Sequence, residues 1–161
     1  MKVVFTLILF IFLQCPAAVD IGIGASSFTG GRSAPALAVG LETENWGILF
    51  RSVGVQTTIY SQNAWTVAAC KNVYSQSFGV LKNSIGAGIG GSYILRSYRP
   101  SVDSEIETTK EYVLGPHLSA KFEFGPVYLG FDTLLGLTKD ITQHLVLNFQ
   151  DMSHVTFGFT F

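Results

Sequence analysis

The most constraining feature of this sequence is the alternation in its last eight residues, 154–161. Every second residue of this stretch is apolar, and the residues between them are small or polar. A period of two predicts a β-strand with one wholly apolar face. The apolar residues of that face are Val155, Phe157, Phe159 and Phe161. Because soluble termini usually fray into water, a chain ending on such a row fits a strand that faces lipid.

The same alternation recurs along the chain, although the composition is strongly apolar. The chain is 48% hydrophobic and 13% charged, whereas typical soluble domains are about 25% charged. After residue 18, no apolar run reaches the roughly 20 residues that a transmembrane helix needs. Apolar residues dispersed by alternation are typical of a membrane β-barrel, in which lipid-facing and lumen-facing residues alternate.

Eight strands are predicted from this periodicity. They cover residues 19–26, 36–41, 46–56, one long or bulged strand within 57–81, 85–95, 112–124, 127–137 and 154–161. The region 57–81 is ambiguous, because 65–69 and 74–81 both alternate. Short turns are predicted at 42–45, 82–84 and 125–126. Longer connections are predicted at 96–110 and at 139–153, the latter a loop or a protruding strand extension.

This pattern predicts an all-β fold, an eight-stranded antiparallel up-and-down transmembrane β-barrel. An even strand count returns both ends to the periplasm, with short turns there and longer loops outside. Four aromatic residues near strand ends predict interfacial girdles; they are Trp46, Trp65, Tyr93 and Tyr112.

The beginning of the chain predicts a signal peptide over residues 1–18. Lys2 supplies a positive charge, an apolar run follows over 3–13, and small residues precede a cleavage site after Ala17 or Ala18. The barrel domain is then 19–161. Gln14 is too large for a good lipobox before Cys15, which favours an ordinary signal over lipidation.

Cleavage would leave Cys70 as the only cysteine of the mature chain. One cysteine makes no internal disulfide, and we interpret Cys70 as a small apolar filler. The net charge of −1 comes without a basic patch, so nucleic acid is not an expected partner.

A soluble lipocalin-like barrel is the alternative, because it would also alternate and carry a signal peptide. Its outer face would carry Lys and Glu, whereas the non-apolar face here is mostly Gly, Ala, Ser and Thr. Those residue types suit a crowded lumen. We therefore expect a monomer in the bacterial outer membrane, with the membrane lipids as partners.

Charged residues on the lumen face predict a polar network. A two-residue turn at 125–126 places Lys121, Glu123 and Asp132 inside the barrel, with His117 and Ser119 beside Asp132. Lys121 and Asp132 are diagonal neighbours within reach of each other and can pair. Buried charges in a narrow barrel must be paired, so we interpret these five residues as a structural network, with Arg51 as a further candidate member.

Three resemblances bear on function. The mature chain resembles the small OmpA/OmpX/OmpW-type outer-membrane barrels in strand count and loop asymmetry. Its apolar row 155–161 resembles the C-terminal signal that the barrel-assembly machinery recognises, which implies that machinery as a partner. The segment 117–119 is similar to the His-x-Ser motif of the lipid A deacylase family, which implies His117 as base and Ser119 as nucleophile. Ala120 and Phe131 depart from that family's pattern.

Three functions follow as hypotheses. The first is a non-enzymatic outer-membrane protein with an envelope-structural or surface-binding role. The second is a narrow, porin-like pore or a carrier for small apolar molecules, which the glycine-rich strand 85–95 suggests. The third is a lipid A-modifying esterase. No catalytic residue, cofactor or metal site is assigned, because His144 and His154 lack metal-ligand spacing and the acidic segment 96–110 is expected to be a solvated loop.

Overall fold

The chain folds into a closed β-barrel. The computed structural model describes residues 18–28, 32–58, 60–99, 105–139, 145–148 and 153–161. Its strands are β1 (Ala18–Phe28), β2 (Arg32–Glu42), β3 (Trp46–Gln56), β4 (Tyr60–Phe78), β5 (Leu81–Tyr98), β6 (Glu107–Phe124), β7 (Val127–Leu134), β8 (Gly136–Lys139), β9 (Leu145–Asn148) and β10 (Ser153–Thr160). Residues 1–17, which hold nearly all of the predicted signal peptide, lie outside the described residues.

Eight of these strands form the barrel wall, in the order β1-β10-β7-β6-β5-β4-β3-β2. Every neighbouring pair is antiparallel. The predicted eight-stranded antiparallel up-and-down barrel is therefore confirmed. Within the described ranges, no helix has the length and apolarity needed to cross a membrane.

The pairing of neighbouring strands gives the barrel a large stagger, which is the offset along one strand after a full circuit of the ring. A path of paired residues runs once around it through Phe122, Leu129, Phe157, Ile23, Leu37, Ser52, Trp65, Tyr93 and Tyr112. The path leaves β6 at Phe122 and returns to β6 at Tyr112, ten residues away. With a rise of about 3.3 Å per residue and strands about 4.8 Å apart, this stagger tilts the strands by about 40°. At that tilt, about 9–11 residues cross a bilayer, and β1, β2 and β3 each have 11.

The region 57–81, whose alternation is ambiguous in the sequence, contains one bulged strand. β4 runs through it, with a register shift between Asn72 and Tyr74, which confirms the long or bulged strand. The turn predicted at 82–84 is wrong, because those residues belong to β5. The chain instead turns at residues 79–80, where Gly79 has a φ of 62° that glycine adopts without a steric penalty.

Two other connections also differ from expectation. The loop predicted at 96–110 is shorter, since β5 continues to Tyr98 and β6 begins at Glu107. The strand predicted over 127–137 leaves the wall after Leu134. Leu135 still donates its N–H to the Pro116 carbonyl at 2.8 Å, but Pro116 has no N–H to continue the ladder. The chain then forms a separate β8–β9 hairpin. β9 lies within the segment 139–153, predicted as a loop or a protruding strand extension, whereas β8 lies almost wholly before it.

The two faces of the wall differ sharply. Exposed apolar side chains from all eight strands cover the outside; examples are Ile23, Leu37, Phe50, Val67, Ile89, Leu118, Phe131 and Phe157. Trp65, Tyr93 and Tyr112 form an outward aromatic row on β4, β5 and β6; the first two rings stack with centroids 5.7 Å apart, and the Tyr93 and Tyr112 rings are tilted with centroids 4.9 Å apart. Because an apolar exterior is costly in water and favourable in lipid, the outer face matches the hydrocarbon core of a bilayer.

Candidate functional site in the barrel lumen

The side chains inside the barrel form three layers. The first lies at the end with the short turns, which we call the turn end, and it is charged. The second lies at mid-height and combines charged, imidazole and thiol groups. The third lies toward the opposite end, the loop end, and is apolar.

The turn-end layer is centred on the ammonium group of Lys121, and we call it the lysine cluster. Nζ of Lys121 contacts Asp20 at 2.8 Å, Glu42 at 2.8 Å and Glu123 at 2.6 Å. Lys82 adds a second, more exposed ammonium 3.1 Å from Glu123. Thus three carboxylates from β1, β2 and β6 converge on one lysine, whose side chain is 12% exposed.

The lysine cluster has the donor set of a divalent-cation site but carries its own cation. Carboxylate oxygens of Asp20, Glu42 and Glu123 all lie within 4.8 Å of one another. Lys121 contacts each of them and also lies 4.9 Å from the ring centroid of Tyr128. The ammonium supplies the positive charge that a metal ion would otherwise bring.

At mid-height, four side chains form a hydrogen-bonded chain across the lumen, which we call the mid-lumen chain. Arg51 makes a two-point ion pair with Asp132. Asp132 Oδ1 lies 3.2 Å from His117 Nε2, and His117 Nδ1 lies 2.9 Å from Cys70 Sγ. Arg51 and His117 are each 1% exposed, so this chain is shielded from solvent.

The loop-end layer closes the lumen with apolar side chains. Its members are Ala34, Ala36, Val53, Ala64, Ile94, Val113 and Leu134. The glycines of β5 do not leave free space beside it, because a Cβ on Gly90 would lie 3.1 Å from Leu134. A Cβ on Gly86 would lie 2.5 Å from Ser119 Oγ. The glycine-rich strand therefore makes room for side chains that project from the nearby strands β6 and β7.

A small cavity lies between the lysine cluster and the mid-lumen chain. Its volume is about 100 Å³, and its lining includes Cys70, His117, Arg51, Ser119 and Thr156. The lining extends to Glu42 and Asn72 at the turn end. Within the described residues, two buried lining atoms have no hydrogen-bond partner, Arg51 Nε and Thr156 Oγ1.

The register predicted from the turn at 125–126 is confirmed. Lys121 lies opposite Gly130, Ser119 opposite Asp132 and Glu123 opposite Tyr128. The predicted pair of Lys121 with Asp132 is wrong, however. Lys121 turns toward β1 and β2, whereas Asp132 binds Arg51.

His117 and Ser119 do not form a base–nucleophile pair in the structure. Both ring nitrogens of His117 are occupied, by Cys70 and by Asp132. Among the described side chains, no hydrogen bond joins His117 to Ser119. Ser119 Oγ lies instead above Gly86, so His117 does not act as a base toward it in this arrangement.

Sequence reasoning missed Asp20, Glu42 and Cys70 as members of the lumen layers. The sequence contains a signal for the first two, because Asp20 and Glu42 occupy the alternate positions of β1 and β2 whose side chains face the lumen. Cys70 was interpreted as apolar filler, but its sulfur contacts an imidazole nitrogen. The irregular pattern of 57–81 concealed which of its residues point inward.

The outward row of β10 lies where the sequence places it. Val155, Phe157 and Phe159 are exposed on the outer face and alternate with lumen residues such as His154 and Thr156. β10 pairs with both β7 and β1, so this strand closes the ring.

Several solved barrels resemble this one. The N-terminal β-barrel domain of Pseudomonas aeruginosa OprF has a TM-score of 0.58 at 14% identity, covering 91% of this chain and 98% of that chain. Neisserial surface protein A has a TM-score of 0.46 at 12% identity, covering 89% of this chain and 92% of that chain. Ail of Yersinia pestis has a TM-score of 0.44 at 11% identity, covering 90% of this chain and 97% of that chain. No protein-family model matches the sequence, and no curated protein matches it.

The OprF domain matches along nearly the whole of both chains, so the present chain has the fold of the small outer-membrane β-barrels. The resemblance to OmpA/OmpX-type architecture is confirmed at the level of fold. Because one fold hosts many functions, the function has to be argued from the outer face and the lumen.

Proposed function

We propose that this chain is a protein of the bacterial outer membrane with an envelope-structural role, a role that is non-enzymatic in itself. The observation that carries the proposal is the combination of an apolar exterior with a lumen crossed by layers of its own side chains. The exterior needs lipid, because every wall strand presents large apolar residues outward. The interior offers ion pairs and packing that rigidify the barrel.

A conducting pore has less support. Ions would have to pass the apolar layer, in which Ile94 and Leu134 are each 1% exposed, and then the lysine cluster. Fully packed layers of this kind are expected in the smallest barrels. We therefore expect no steady conductance.

A lipid A esterase also has less support. His117 and Ser119 face the lumen, away from a lipid substrate, and His117 is engaged with Cys70 and Asp132. An esterase would need a serine and its base within hydrogen-bond reach.

We further propose the membrane lipids and the barrel-assembly machinery as partners. The outward row of Val155, Phe157, Phe159 and Phe161 would serve the machinery, because it lies on the strand that closes the ring. A closed ring has no free edge to pair with a second copy, which supports a monomer.

Two measurements test the proposal. Cell fractionation of the full-length protein should recover it in the outer membrane. The purified barrel should then give no openings in a planar bilayer, with a known porin measured in parallel as the positive control. Stable single-channel openings would favour the pore, and recovery in the soluble periplasm would remove the structural proposal.

A further inference from the structure

We propose that Cys70 and His117 form a reactive thiol site whose substrate is a small hydroperoxide that enters from the turn end. This inference goes beyond the envelope role, because it assigns a chemical activity to lumen residues that the envelope role uses only as structural contacts. It rests on the mid-lumen chain, on the neighbouring cavity and on two unpartnered polar groups.

The geometry of the mid-lumen chain suits a nucleophilic thiol. Cys70 Sγ lies 2.9 Å from His117 Nδ1, which can take the thiol proton. Asp132 contacts the other ring nitrogen at 3.2 Å and so favours the protonated imidazole. Arg51 holds Asp132 from the opposite wall. A base oriented by a third group is the general arrangement for activating a nucleophile, and a thiolate beside a protonated histidine is the reactive form of cysteine.

The cavity gives this thiol room for a small reactant. Its volume of about 100 Å³ exceeds the roughly 10–15 Å³ that one water molecule needs. Cys70 and His117 both line it, and its lining reaches Glu42 at the turn end. A two-oxygen peroxide fits such a space, whereas a peptide or a lipid chain does not.

Two further groups of the lining point to a polar occupant. Arg51 Nε and Thr156 Oγ1 are buried without a hydrogen-bond partner among the described residues. Buried polar groups normally have one. An N–H donor and a hydroxyl match the acceptor and donor groups of a hydroperoxide.

The reaction balances with the groups present. The Cys70 thiolate attacks one peroxide oxygen, an S–O bond forms and the O–O bond breaks. The leaving oxygen takes the proton from His117 and departs as water or an alcohol. The sulfur is oxidised by two electrons to a sulfenic acid, and the peroxide is reduced. The described residues contain no second cysteine, so an external small-molecule thiol would have to reduce the sulfenic acid.

The test measures the oxidation rate of Cys70 in the purified mature barrel, folded in detergent at pH 7. Hydrogen peroxide is the probe, dimedone traps the sulfenic acid, and mass spectrometry follows the peptide that contains Cys70. A free cysteine is only a few per cent thiolate at pH 7. The folded chain should therefore react at least about tenfold faster than the same chain unfolded in urea.

Two variants distinguish activation of the thiol by His117 from simple access of peroxide to the cavity. His117→Gln should bring the folded rate down to that of the unfolded chain. Cys70→Ser/Ser119→Cys moves the thiol elsewhere in the same cavity, without a contact to His117, and should react no faster than the unfolded chain. Gel mobility with and without heating checks that each variant folds.

The comparison of folded and unfolded chain needs no variant, so a misfolded variant leaves the proposal falsifiable. A folded rate at or below the unfolded rate overturns it. A folded His117→Gln variant that reacts as fast as the natural chain overturns it too. Neither result would affect the envelope role, which fractionation and conductance test separately.

Discussion

Arg51 on β3 and Asp132 on β7 form an ion pair between strands on opposite sides of the ring. Their side chains are 1% and 7% exposed, so water compensates neither charge. The pair ties two walls together through the lumen, where backbone hydrogen bonds cannot act. Removing either partner leaves an uncompensated buried charge.

We therefore predict that Asp132→Asn lowers the free energy of unfolding by about 3–5 kcal/mol, the usual cost of breaking a buried ion pair. Urea titration of the barrel in lipid vesicles would measure it. The double variant Arg51→Met/Asp132→Asn should recover part of the loss, because it removes both charges. A loss of under about 0.5 kcal/mol for Asp132→Asn would contradict the structural role of the pair.

The lysine cluster provides a matched pair of substitutions. Lys121→Met leaves three carboxylates around an uncharged side chain, and we expect a loss of about 3–5 kcal/mol. Lys82→Met removes an ammonium that is 40% exposed and contacts two of the same carboxylates, so its cost should stay below about 1 kcal/mol. The same unfolding titration compares the two, and equal losses would show that burial does not set the strength of these contacts.

These cross-lumen contacts mark the limit of what the sequence predicts. The β6–β7 register was predictable because a two-residue turn fixes it locally. The partners of Lys121 were not, because Asp20 is 101 residues away and Glu42 is 79 away. Which residues of opposite strands lie at the same height in the lumen depends on the total stagger, and that stagger adds up over all eight registers.

Strand β5 offers a test of close packing within the wall. A Cβ on Gly88 would overlap the carbonyl oxygen of Ala69, whereas a Cβ on Gly91 has its nearest neighbour at 3.5 Å. Gly88→Ala should cost about 1–3 kcal/mol because the backbone must shift. Gly91→Ala should be neutral or slightly stabilising, since alanine reduces the freedom of the unfolded chain. If Gly88→Ala were as stable as Gly91→Ala, β4 and β5 would have to lie further apart than described.

The outward face distinguishes a membrane barrel from a lipocalin-like one. Phe50 lies near the middle of β3, and Phe124 lies beside the turn at 125–126. In lipid vesicles, Phe50→Arg should cost about 2–4 kcal/mol and Phe124→Arg about 1 kcal/mol or less, because the penalty depends on depth in the bilayer.

A soluble barrel predicts the opposite result for Phe50. Its outer surface would be hydrated, so Phe50→Arg would be neutral and would increase solubility. Equal, small effects at Phe50 and Phe124 would therefore argue against burial of this face in lipid.

The sequence predicts the wall strands better than their ends and loops, and this difference has a physical cause. Alternation identified the wall strands because one face is uniformly apolar, and this pattern persists wherever lipid is the solvent. It failed at the ends of β5 and β6, where residues such as Ser97 and Thr108 are polar yet remain paired. Backbone pairing there extends beyond the apolar belt, and no side-chain pattern reports it.

The central claim is that this chain forms a closed barrel embedded in the outer membrane. The most direct test is the gel mobility of the protein from an isolated outer-membrane fraction, compared before and after boiling in detergent. We predict that the unboiled protein resists the detergent and migrates differently from the boiled protein. Identical mobility in both lanes, with the protein recovered from the soluble periplasm, would contradict the lipid-facing assignment of every wall strand.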